Sequence, residues 1–255
     1  MSTTHIALVT GASRGIGEAI ALRLAEDGYD LALNDLAPMA DGLAALVKKV
    51  QLKGRRAVAI LGDVSHEHDV KAMVDKAVHD LGGLDVMVAN AGILILDSVL
   101  ETSVKDFNRV MSINVLGTFL CFKYAAMQMI KQGRGGRIIG ASSLAGKTGA
   151  YNLSAYSCSK FAIRALTQTC AIEWAEHGIT VNSYAPGLIH TAMVATPDDP
   201  KRTDANKFKE SLHMPANLPE ADPSAIAGLV SYLIRPESQF ISGQCVNING
   251  GSFFD

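Results

Sequence analysis

Tryptophan occurs once in 255 residues, aromatic residues make up 6% and charged residues 19%. With a net charge of −2 there is no field that would gather nucleic acid or an anionic membrane. Cysteine is sparse as well. Cys121, Cys158, Cys170 and Cys245 are scattered without a Cys-x-x-Cys pair. That argues against a disulfide scaffold and reads as reduced, mostly packed thiols of a cytoplasmic protein. No apolar run approaches the ~20 residues that span a bilayer. The start, MSTTHIALVTGAS, enters a strand pattern directly and lacks a signal-peptide layout. What is abundant is apolar material, 48% of the chain, enough for a sizeable core. A length of 255 residues suits one α/β domain.

Short β-rich runs alternate with helical periodicity along the chain. His5–Val9 precedes Thr10-Gly11-Ala12-Ser13-Arg14-Gly15-Ile16-Gly17, and Ile16, Ala19, Ile20 and Leu24 then recur at helical spacing. Further strand patterns lie at 29–34, 57–61, 84–89, 137–141, 180–184 and 244–248. Helices are expected at about 40–53, from a Ser65 cap to about 81, from a Ser103-x-x-Asp106 capping box to about 130, from about 154 to 177, and from an Asp222 cap with Pro223 to about 235. Seven strands and six helices in alternation predict one doubly wound parallel sheet with helices on both faces, a single Rossmann-type domain over 1–255. Residues 192–219 differ, with Pro197, Pro200, Pro215, Pro219 and weak periodicity. Such a segment at the mouth of an α/β sheet is expected to be a lid, placed at about 188–219.

Strand, glycine-rich turn and helix in that order form a phosphate cradle, because glycines admit a pyrophosphate and the helix start supplies amide donors. The spacing is Gly-x-x-x-Gly-x-Gly, and Gly11, Ser13, Arg14, Gly15, Ile16 and Gly17 are the candidate contacts. Asp35 follows Gly17 by 18 positions, near the ~20 expected of a carboxylate that binds an adenosine ribose. It would accept from a 2′-OH and repel a 2′-phosphate, favouring NAD over NADP; Arg14 pulls the other way. Asp63 and Val64 at a strand end could take an adenine, or merely cap the strand. Asn90-Ala91-Gly92 ends another strand where a ligand ring can approach the backbone. Asn114, polar among apolar neighbours, is either a core amide that bends its helix or part of a site. His66 and His68 point to different faces of a helix start, so no metal site is assigned.

Ser142-Ser143 ends a strand, and Tyr156-x-x-x-Lys160 places a phenol and an ammonium one helical turn apart. A nearby cation favours phenolate, moving a group that ionises near ~10 toward acid/base work. Taken together, Thr10-Gly11-x-x-x-Gly15-x-Gly17, Asp35, Asp63-Val64, Asn90-Ala91-Gly92, Asn114, Ser143, Tyr156-x-x-x-Lys160 and Pro186-Gly187 resemble the short-chain dehydrogenase/reductase family over essentially the whole chain. The family's gap between serine and tyrosine selects Ser143 over Ser142.

The resemblance implies a catalytic set of Asn114, Ser143, Tyr156 and Lys160. Tyr156 would transfer the proton, Lys160 would acidify it and hold the nicotinamide ribose, Ser143 would hold the substrate oxygen, and Asn114 would bind a relay water. Pro186, Gly187, Ile189 and Thr191 would lie by the carboxamide, with NAD(H) as the cofactor. A narrower likeness, to acetoin (diacetyl) reductases and butanediol dehydrogenases, rests on Gly136–Ser143, Ala155-Tyr156-Ser157 and Phe161–Thr169. Leu144 departs from that branch, where glutamine is frequent, and the lid lacks its tryptophan. Both hint at a bulkier, less polar alcohol or ketone, unless Leu144 simply packs beneath its loop. An NADPH-dependent 3-oxoacyl-carrier-protein reductase and a non-catalytic dinucleotide binder are the alternatives. The resemblance also implies a homotetramer, packed through the helices near 103–130 and 154–177.

Overall fold

The strand and helix patterns become an alternating chain of elements in a computed structural model that describes residues 5–194 and 205–255. In order these are β1 (Ile6–Thr10), α1 (Gly15–Glu26), β2 (Asp30–Asp35), α2 (Ala40–Leu52), β3 (Ala57–Leu61), α3 (Glu67–Leu81) and β4 (Val86–Ala89). The second half holds α4 (Val104–Met111), α5 (Gly117–Gln132), β5 (Gly136–Ala141), α6 (Ser154–Glu173), β6 (Ile179–Pro186), β7 (Leu188–Ile189), α7 (Ala205–Ser211), β8 (Glu220–Ala221), α8 (Pro223–Leu233) and β9 (Cys245–Ile248). Seven strands form one parallel sheet in the order β3-β2-β1-β4-β5-β6-β9. Strand order reverses between β1 and β4, which opens a crevice at their carboxyl ends.

Alternate residues of each strand face opposite layers. Ile6 and Leu8 join a core with α3, α5 and α6, whereas Ala7 and Val9 join one with α1, α2 and α8. Both faces being covered explains why the strands read as unbroken apolar runs.

Several local expectations need correction. His66, not Ser65, stands at the cap of α3; the Ser65 hydroxyl instead donates to Asp63 Oδ1 at 2.7 Å. Asp222 occupies its cap position, with Pro223 following, but makes no side-chain cap bond. Ser103 does cap α4, accepting from the Asp106 amide at 3.0 Å. The helix expected from there to about 130 is broken by a π-turn at Ser112–Leu116. The helix bearing Tyr156 ends at Glu173, and Ala175–His177 is a separate 3-10 turn. Within the expected lid lie a helix, α7, and a short strand, β7, which pairs in parallel with β8 just past the lid's end, elements that weak periodicity concealed; residues 195–204 lie outside the described residues. The run Val104–Gln132 is, by length and composition alone, long and apolar enough to cross a membrane, a test that a core helix also passes. Half of its most apolar window is buried inside the fold, and Leu120, Phe122, Ala125 and Met129 pack in the core layer with α3.

Candidate active site

The carboxyl edge of the sheet opens into a cavity of about 710 Å³ that reaches from Asp35 past Gly92 and Tyr156 to Met214. Its nucleotide end is organised around Asn90. The Thr10 hydroxyl accepts from the amides of Asn90 (3.1 Å) and Ala91 (3.0 Å), while Asn90 Nδ2 donates to the carbonyls of Thr10 (2.9 Å) and Gly11 (3.2 Å). Tyr184 Oη, from β6, donates to Asn90 Oδ1 at 2.8 Å. The glycine turn is thus tied to β4 and, through it, to β6. Gly17 is required by close approach, since a Cβ there would stand 2.2 Å from the Gly11 carbonyl oxygen.

Asp35 is fixed at the end of β2. Its Oδ2 accepts from the Ser13 amide (3.0 Å) and hydroxyl (2.6 Å), and Oδ1 from the Leu36 amide (2.9 Å). Of roughly four lone-pair sites on a carboxylate, one on Oδ1 is left for a ribose hydroxyl. Ser13 therefore orients Asp35 and does not itself line the cavity, in contrast to its expected place among the direct contacts. Arg14 is exposed at the cavity edge and makes no ion pair among the described residues. Gly11, Gly15, Ile16, Gly17, Asp63, Val64, Ala91, Gly92, Pro186, Gly187, Ile189 and Thr191 line the cavity together with Arg14, Asp35 and Asn90. These residues fit a dinucleotide: backbone at the glycine turn, a free carboxylate site at the ribose position, and space beside Gly92.

The chemical end lies where β5 meets α6. Ser143 caps a 3-10 turn, its Oγ accepting from the Ala145 amide at 3.1 Å. The Ser142 hydroxyl donates to the Lys160 carbonyl at 3.0 Å, the backbone role expected of it. Tyr156 is 8% and Lys160 4% exposed, with Lys160 Nζ 5.4 Å from the phenol ring centre. Lys160 Nζ donates to the Ala141 carbonyl at 2.7 Å, which uses one of its three N–H groups.

The pKa directions run against the expected acidification. Burial pushes the Tyr156 phenol up, with the Ser143 hydroxyl opposing, and burial draws Lys160 down to about 8. In the chain alone, desolvation of both groups outweighs the attraction between cation and phenolate.

Asn114 does not line the cavity. It is fully buried in the π-turn, with Oδ1 accepting from the Ile93 amide (2.9 Å) and Nδ2 donating to the Ile93 carbonyl (2.9 Å) and Ser159 Oγ (3.0 Å). These bonds are those of a core amide: through Ile93 and Ser159 they hold α6 against the segment after β4. A Cβ at Gly92 would lie 3.1 Å from Asn114 Oδ1 and 3.5 Å from Lys160 Nζ, so both atoms pack close against the Gly92 backbone.

The short-chain dehydrogenase family model matches residues 5–202. This chain is a short-chain dehydrogenase. A short-chain dehydrogenase/reductase of Armillaria gallica is 47% identical over 256 residues, covering 100% of this chain and 98% of that protein. L-2,3-butanediol dehydrogenase of Corynebacterium glutamicum is 36% identical, over 99% of this chain and 100% of that one. Among solved structures, carveol dehydrogenase of Mycobacterium avium in complex with NAD superposes with a TM-score of 0.88 at 29% identity, over 98% of both chains.

The substrate side of this dehydrogenase was the least legible from sequence. Leu153, Leu188, Phe208 and Leu212 cluster with Tyr156, flanked by Leu94 and Met214. Leu144 is among the residues that line the cavity. Tyr151 and His213 stack at the rim with ring centres 3.9 Å apart. Behind the serine turn, the Lys147 ammonium pairs with Asp255, whose carboxyl it holds below the usual carboxylate range. Asn247 Nδ2 donates to the same carboxylate at 2.6 Å and Arg164 lies 3.4 Å away. No motif pointed to that contact, because its partners are 108 residues apart.

Proposed function

We propose that this dehydrogenase interconverts a secondary alcohol and a ketone with NAD(H), and that it prefers a bulky, apolar or cyclic substrate. The observation that carries this reading is the setting of Tyr156: a buried phenol beside Ser143 and Lys160, facing a wall of Leu144, Leu153, Leu188, Phe208 and Leu212. The cofactor, when bound, supplies or accepts the hydride and in its oxidised form brings a positive ring. A positive charge beside the phenol offsets the burial that raises its pKa. Tyr156 then gives its proton to the carbonyl oxygen in reduction, or takes it from the alcohol in oxidation. The Ser143 hydroxyl donates to the same oxygen and steadies its developing charge. Lys160, anchored on Ala141, keeps two N–H groups for ribose hydroxyls. Asp35 supports NAD over NADP, because its remaining lone pair accepts a 2′-OH and its charge repels a 2′-phosphate.

A second reading, reduction of small diketones such as diacetyl, is favoured by the likeness to L-2,3-butanediol dehydrogenase. Initial rates with diacetyl and with a bulky cyclic ketone, each with NADH and NADPH, separate the two. The expected outcome is a kcat/KM for the cyclic ketone about tenfold or more above that for diacetyl, since each extra apolar group buried adds ~0.8 kcal/mol per methylene. NADH should be the better donor with either substrate. Higher kcat/KM for diacetyl would reverse the substrate assignment, and higher rates with NADPH would overturn the role given to Asp35.

We further propose a homotetramer. Phe107, Leu116, Phe119, Met127 and Ile130 on α4, the π-turn and α5, with Phe161 and Ile172 on α6, leave apolar side chains on the outer faces expected to pack. Light scattering on the eluting peak should give four times the 27.0 kDa chain mass; a monomer mass would reject this. A reducing cytoplasm suits the four free thiols, and fractionation of a tagged chain is the check.

A further inference from the structure

Lys209 is a charged side chain left only 4% exposed, in a helix of the lid, away from the reacting groups. An ammonium is buried only where its charge and its three donors are matched. Here all three find acceptors: Glu220 Oε1 at 2.5 Å, the Ala216 carbonyl at 2.7 Å and the Leu218 carbonyl at 3.1 Å. The loop between α7 and β8 winds around this group, and the Met214 amide returns to the Lys209 carbonyl at 2.8 Å. Glu220 does not stop at Lys209. Its Oε2 lies 3.2 Å from His190 Nε2, and the His190 amide donates to the Ala221 carbonyl at 3.0 Å.

Two neighbours of Lys209 on the chain, Phe208 and Leu212, are the residues that press against Tyr156 and Leu188. His190 sits between Ile189 and Thr191, both of which line the cavity. The ion cluster thus joins the wall of the substrate space to the strand that borders the nucleotide space. We propose that Lys209 and Glu220 are positioning residues, a buried latch that sets the substrate-side wall through Phe208 and Leu212, with His190 bringing the β7 segment into the same cluster. Neither residue touches the reacting atoms. The latch fixes how large an apolar group fits beside Tyr156.

Lys209→Met keeps an unbranched side chain one atom shorter and removes its charge; Glu220→Gln is the milder companion should the first variant fold poorly. Each should raise KM for a bulky cyclic ketone about tenfold. Each should leave KM for diacetyl and the affinity for NADH within about twofold, since neither ligand needs the wall. The double variant Lys209→Met/Glu220→Gln should be less impaired than Lys209→Met alone, because the single change takes from Glu220 its lysine cation and leaves its charge facing His190 alone. Hydrogen exchange of 205–221 should quicken in both single variants, with the glycine turn unchanged. This exchange readout does not depend on the proposed ketone chemistry, which the wild-type rates test separately. Equal losses toward both ketones and NADH, or exchange in 205–221 that matches wild type, would overturn the latch.

Discussion

Tyr156→Phe is expected to lower kcat by about 10³-fold or more while NADH binds within about twofold of its original affinity. The substitution removes one oxygen and keeps the ring among Leu153, Leu188, Phe208 and Leu212, so packing is retained. Lys160 keeps its place as well, because its recorded hydrogen bond is to the Ala141 carbonyl and not to the phenol. What disappears is the proton donor to the carbonyl oxygen, an effect confined to the transition state. Steady-state NADH consumption set beside a fluorescence titration of NADH distinguishes the two quantities. Turnover that survives the substitution would remove Tyr156 from proton transfer. Loss of NADH affinity in step with kcat would make the residue a part of the cofactor site instead.

The second large effect is expected from a single added methyl at Gly17. In Gly17→Ala the new carbon would meet the Gly11 carbonyl oxygen at 2.2 Å and Asn90 Nδ2 at 2.7 Å. Neither is a flexible tip. The first is backbone, and the second is held by the Thr10 and Gly11 carbonyls while Tyr184 holds the other end of the amide. Relief requires α1 to move off the turn, which opens the phosphate cradle and loosens the joint between β1 and β4. Overpacking of this kind costs about 1–3 kcal/mol or more, and NADH affinity should fall about a hundredfold or more as the cradle opens. Calorimetric titration with NADH and thermal melting of the same variant check both halves. Unchanged affinity would mean that the turn can yield without harm, and that the pyrophosphate is held elsewhere.

The sheet, the nucleotide turn and the Ser143, Tyr156 and Lys160 positions were legible because each rests on local spacing: apolar runs between turns, glycines before a helix, a phenol and an ammonium one turn apart. The substrate wall was not. Phe208 and Leu212 face Tyr156 only because Lys209 buries its charge against Glu220 and two carbonyls, and no short-range periodicity encodes that. Ser13 was assigned to the cofactor from its place in the turn. Its hydroxyl finds a nearer acceptor in Asp35, 22 residues on. Asn114 stood out as a polar residue in an apolar helix, but the π-turn that satisfies its amide depends on Ile93 and Ser159, from two other segments. The direction of the Tyr156 pKa was also misjudged. Adjacency to a cation is visible in a sequence, while the desolvation that outweighs it appears only once the chain is packed.

The pairing of Lys147 with Asp255 bears on how the enzyme is made. On the ribosome, Lys147 is synthesised 108 residues ahead of the carboxylate that neutralises it, and β9, the edge partner of β6, also arrives late. The nucleotide half, from β1 through β4, has all its strands long before then. A chain that has not yet reached Asp255 therefore has Lys147 without the carboxylate that pairs with it, so the serine loop gains this contact only when the last segment docks.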